Sequence, residues 1–117
     1  MTDPRHGDLA DRWWTMTVAE QLGNIGSEIS RASAWWSRHP ERAEAAFYRA
    51  LDLFDLTLDD PRHRQSEARL REIARAREVV VDLFAGSNQY GSTFASLQRY
   101  FDAYAIYQSR SRLTTTP

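Results

Sequence analysis

DDPRHRQSEARLREIARAREVVVDLFAG, residues 59–86, decides how this chain folds. Asp59-Asp60-Pro61 opens it, with Asp60 placed to cap a helix that begins on a proline. Leu70, Ile73, Arg77, Val80, Val81 and Phe84 then recur mostly three or four residues apart, which is one face of a helix. Gly86 stops the run. The expectation is a helix from Pro61 to Ala85. Val79-Val80-Val81 is β-branched, yet nothing in the chain alternates with period two over a useful length, so a strand is not expected.

Upstream, His39-Pro40 separates two further helices. The first is expected from Thr17 to Arg38, because Thr17 with Glu20 forms a capping box. Val18, Leu22, Ile25, Ile29, Ala32 and Trp36 give it one apolar face. A line of small residues, Ala19, Gly23, Gly26, Ser30 and Ser33, runs beside that face. Two interior glycines cost about 1 kcal/mol each relative to alanine, so close approach of another helix, in this chain or in a second copy, is expected there. The second helix is expected over Pro40 to Leu58, with Ala43, Phe47, Ala50, Leu51, Phe54 and Leu58 inward. Downstream, Ser92 or Thr93 caps a fourth helix carrying Phe94, Leu97, Phe101, Tyr104 and Tyr107. The reading is all-α: an antiparallel up-down four-helix bundle with short connections. It places a flexible leader over 1–12, one helical-bundle domain over 13–108 and a disordered tail over 109–117.

Six of the fifteen arginines fall between Arg62 and Arg77, and lysine is absent. Arginine at every basic position points to a GC-rich, bacterial genome. Across Arg62–Glu78 six arginines stand against three glutamates, a small excess for a surface that tracks phosphates. A solvated, mixed-sign face with Glu67–Arg71 and Glu78–Arg75 pairs is the plainer reading. Arg64, Arg71 and Arg75 are the residues that would contact nucleic acid in the alternative. Arg77 differs because it lies on the apolar stripe. Counted from Pro61 it is roughly 24 Å along the helix, whereas Asp55 is only about 8 Å from the same turn. Glu44 and Asp102 lie at matching depth, so the expectation is a buried ion pair or anion site formed by Arg77 with Glu44 or Asp102, beside the alternative that Arg77 sits at the stripe edge and reaches water.

The formal net charge of −1 gives no global attraction to nucleic acid or membrane. Cysteine is absent, which removes disulfides, thiolate catalysis and thiolate metal sites. No segment resembles a signal peptide, and none approaches the ~20 apolar residues of a membrane span. A cytoplasmic protein is expected. His6, His39 and His63 fall in the leader or at turns, without the Glu-x-x-His pairs of di-iron bundles. No Gly-x-Ser-x-Gly elbow, phosphate loop or dinucleotide fingerprint occurs. Small bacterial HEPN ribonucleases carry an arginine, four to six intervening residues and then a histidine, and no histidine here has an arginine at that distance before it. No catalytic residue, metal or cofactor is assigned.

Trp13-Trp14 and Trp35-Trp36 are adjacent pairs. Neighbours on a helix point about 100° apart, so with Trp36 inward Trp35 is left for a second surface. Exposed tryptophan is enriched at interaction hot spots. Trp13, Trp14, Gly23, Gly26 and Trp35 are therefore the expected partner interface. The runs TVAEQLGNIGSEI, AFYRALDLFDLTL, LREIARAREVVVDLF and YGST, at residues 17–29, 46–58, 70–84 and 90–93, resemble a family of short bacterial all-helical hypothetical proteins. The resemblance spans most of residues 13–107 and implies no activity, cofactor or catalytic residue. The functional expectation is a non-enzymatic interaction protein, self-associating as a homodimer or acting as an accessory subunit. A nucleic-acid-binding accessory is the second reading. An enzyme with a carboxylate and arginine site around Arg77 is the third.

Overall fold

The computed structural model describes residues 7–114; the side chain of Tyr107 lies outside the described residues. The chain is all-α. Its elements are α1 (Gly7–Trp13), α2 (Val18–Trp35), α3 (Pro40–Leu58), a 3-10 turn (His63–Gln65), α4 (Glu67–Ala85) and α5 (Phe94–Thr114). Local chemistry explains each start. Thr17 Oγ1 accepts from the Glu20 amide at 3.1 Å while Glu20 Oε1 accepts from the Thr17 amide at 3.2 Å, a complete capping box. Pro40 opens α3, where its missing N–H is no loss. Thr93 and Ser96 cap α5 reciprocally, each side-chain oxygen accepting from the other's amide at 2.9 Å.

α2 packs against both α3 and α5, and α4 packs against α3. The shared core holds Leu22, Ile25 and Ile29 of α2, Phe47, Ala50 and Phe54 of α3, Ile73, Val80 and Phe84 of α4, and Leu97 and Phe101 of α5. These are the stripes read from the periodicity. At Gly26 the close approach comes from within the chain: a Cβ there would lie 2.5 Å from Phe101 Cβ. The glycine lets α5 settle onto α2, and burial of Phe101 offsets its helix-propensity cost.

Four expectations are corrected. Residues 7–12, read as leader, belong to α1, which buries Ala10 and Trp13. Residues 109–114, read as tail, continue α5. α2 ends at Trp35 rather than Arg38; Trp36, next in line with helical backbone angles (φ −51°, ψ −43°), still turns its ring toward Phe84 and Phe94 but is 41% exposed. α4 begins at Glu67, not Pro61. Ser66, with extended backbone (φ −130°, ψ 107°), is its N-cap, and its side chain accepts from the Arg69 amide. Asp60 is drawn into the core instead, and its backbone carbonyl accepts from His63 N at 3.1 Å, closing a turn.

Candidate functional site

The start of α2, the end of α3 and the turn after it meet in a closed polar network. Asp60 is fully buried and His63 is 1% exposed. Asp60 Oδ2 accepts from Arg62 Nη2 at 2.6 Å and from Gln21 Nε2 at 3.0 Å, and Oδ1 accepts from the Arg62 amide at 3.0 Å. Gln21 Nε2 also donates to the Trp13 carbonyl at 2.9 Å, and Gln21 Oε1 lies 2.7 Å from His63 Nε2. As Gln21 Oε1 can only accept, His63 carries its proton on Nε2. Its Nδ1 is buried without a hydrogen-bond partner, which suits a neutral ring. Trp13 Nε1 donates to Thr57 Oγ1 at 2.9 Å, Trp14 Nε1 to the Leu56 carbonyl at 2.8 Å, and Arg62 Nη2 to the Met16 carbonyl at 2.6 Å. These bonds fasten α1 and its connection onto the rest of the fold.

The charges follow from this geometry. Burial pushes the Asp60 carboxyl up, but hydrogen bonds from Arg62 and Gln21 outweigh it and bring the group to about 2. For His63, burial dominates and lowers its pKa, against the attraction of Asp60. The pair is a carboxylate beside a neutral imidazole, with Nε2 3.6 Å from Asp60 Oδ2. Both are enclosed, and the network's donors and acceptors are spent on one another, leaving His63 Nδ1 aside.

The opposite ends of α2 and α3 look different. Trp36 stands edge-on to Phe84 at 5.1 Å and to Phe94 at 6.1 Å, and Phe47 stacks on Phe84 at 5.3 Å. Tyr48 lies against Phe47 and is 54% exposed. Trp36, Pro40, Glu44, Phe47, Tyr48, Phe84 and Ala85 line an open groove of about 290 Å³. Exposed aromatic rings flanking a groove with a buried aromatic base are the composition of interaction hot spots.

The residues expected to form a partner interface are mostly internal. Trp13 and Gly26 are buried, Trp14 is half-buried with its N–H engaged, and Gly23 is half-buried beside Gly26. Trp35 is half-buried with the Arg42 guanidinium 5.7 Å over its ring. The exposed member of that pair is Trp36. Arg77 pairs with Asp55, Nε to Oδ1 at 3.0 Å, and both side chains keep substantial exposure. Glu44 instead lines the aromatic groove, and Asp102 accepts from Gln98 at 2.7 Å. Arg77 meets Asp55 rather than Glu44 or Asp102 for two reasons. α4 starts at Glu67, so Arg77 is less deep than counted from Pro61. Helical side chains also lean toward their own N-terminus, so Arg77 leans toward the α3–α4 connection and Asp55 away from it, which brings them together.

Arg64 lies 3.7 Å from Asp59, Arg71 4.0 Å from Glu67, and Arg75 packs over the Tyr90 ring at 5.4 Å. Glu78 accepts from the Tyr90 hydroxyl rather than pairing with Arg75. Among the described residues no three His, Asp or Glu side chains gather where a metal could sit, and no helix is long and apolar enough to cross a membrane. The chain matches no protein-family model, no curated protein and no solved structure in the comparisons made.

Proposed function

We propose that this protein works by binding rather than by catalysis, as an up-down four-helix bundle extended by α1, and that it self-associates through the groove around Trp36 and Tyr48. The observation that carries this reading is the exposure of two large aromatic side chains, Trp36 at 41% and Tyr48 at 54%, over the buried pair Phe47 and Phe84. Truncating such an anchor at an interface typically costs about 2 kcal/mol or more of binding. The polar groups best suited to chemistry, Asp60 and His63, are enclosed and committed to hydrogen bonds within the fold. Arg64 and Arg71 each already face an acid and Arg75 a tyrosine ring, which lessens the support for nucleic-acid contact.

Light scattering coupled to size-exclusion chromatography tests the reading. The wild-type chain is expected to show a concentration-dependent dimer, and Trp36→Ala a monomer with native helical content. A wild-type chain that is monomeric throughout rejects self-association.

A further inference from the structure

α4 and α5 are tied by side chains at two places, near the ends of α4 and in the first half of α5. At one end Phe84 meets Phe94 at 5.1 Å. At the other, the Tyr100 hydroxyl donates to Glu72 at 3.2 Å and Tyr104 donates to the same carboxylate. Between these ties lies an open cleft of about 280 Å³, lined by Glu72, Arg75, Ala76, Val79, Ser92, Ser96, Leu97, Tyr100 and Phe101. That volume is at the lower end of small-molecule sites.

Its chemistry is divided. Ala76, Val79, Leu97 and Phe101 supply an apolar floor. Glu72 is already served by two tyrosine hydroxyls. Arg75 is different: among the described residues its guanidinium pairs with no carboxylate and rests only on the face of Tyr90. A guanidinium at the edge of an apolar cleft presents a planar fork suited to a carboxylate. A neutral apolar molecule would leave that fork unused, and the one acid in the lining that a cation could use, Glu72, already accepts from Tyr100 and Tyr104.

We propose that the cleft between α4 and α5 is a binding site for a small amphipathic monocarboxylate, its acid on Arg75 and its apolar body on Ala76, Val79, Leu97 and Phe101. This site is separate from the aromatic groove and does not depend on self-association.

The test is an amide-resolved NMR titration of the full chain with octanoate, octanol and octylammonium. Octanoate is expected to give saturable shifts confined to residues 72–79 and 92–101, with octanol weaker by roughly tenfold, as for loss of one charge-assisted contact. Arg75→Gln, at an exposed position, is expected to bring octanoate down to the octanol level and leave octanol unchanged. Val79→Trp, which fills the cleft, is expected to abolish both, with helical content checked by circular dichroism. The proposal is overturned by absence of saturable shifts in the cleft, by equal affinity for octanoate and octanol, or by an Arg75→Gln chain that binds octanoate as well as the wild type. If Val79→Trp does not fold, the headgroup series and Arg75→Gln decide alone.

Discussion

At one end of α2 and α3, Gln21, Asp60 and His63 are enclosed and, His63 Nδ1 apart, spend their polar atoms on each other, on Arg62 and on α1; at the other end, Trp36 and Tyr48 stand partly in solvent over Phe47 and Phe84. The first arrangement is high-stakes. A buried carboxylate is tolerated only when its hydrogen bonds are made, and removing one partner leaves the others uncompensated. The second leaves apolar surface uncovered, which adds little to the stability of the isolated chain and gives a partner something to bury. One end therefore holds the fold together and the other is available for binding.

The comparison breaks most visibly at Asp60. Asp60→Ala removes the acceptor of one Gln21 Nε2 hydrogen and of the Arg62 amide and releases one anchor of the half-exposed Arg62 guanidinium, and is expected to destabilise the chain by about 2 kcal/mol in chemical denaturation; a loss under ~1 kcal/mol would show that the network is not holding the fold. pH probes the same end without mutation. The Asp60 carboxyl is depressed in the fold, so its contribution is present above the ordinary carboxylate range, near 4, and is lost as pH falls toward about 2. His63 is also depressed, so the unfolded chain takes up its proton first and stability starts to fall as pH drops below 6.5. Thermal unfolding should show both losses in one direction, and His63→Gln should remove the upper one.

Gly26→Ala forces Phe101 away from α2 and is expected to cost about 1–2 kcal/mol net, overpacking outweighing the gain in helix propensity. Tyr48→Ala at the open end should change stability by less than ~1 kcal/mol while weakening association. Arg77→Gln should have the smallest effect, about 0.5 kcal/mol, because its pair with Asp55 is solvent-exposed. An Arg77→Gln loss as large as that of Asp60→Ala would erase the distinction between the sealed end and the surface.

The helices and most core positions were legible in the sequence because periodicity and punctuation are local. Thr17 with Glu20, Pro40 and Thr93 marked three helix starts, and apolar spacing marked the faces. The polar network was not legible. Gln21 lies about forty residues along the chain from Asp60 and His63, and each looks like an ordinary helix or turn residue alone. Asp60-Pro61 reads as a helix start, whereas α4 begins at Glu67 with Ser66 as its cap; that difference displaced the expected partner of Arg77. Trp36 lies one residue past the end of α2, at the rim of the bundle, so the periodicity directed it toward Phe84 and gave no sign that much of its ring stays in solvent.

The central claim is that the open aromatic end binds a second copy and the sealed polar end does not. Sedimentation velocity over a concentration series, on wild type and on Tyr48→Glu, tests it most directly. The wild-type chain is expected to shift from monomer to dimer with rising concentration, and Tyr48→Glu to stay monomeric with native unfolding behaviour. A wild-type chain that sediments as a monomer at every concentration, or a Tyr48→Glu chain that dimerises as well as the wild type, contradicts it.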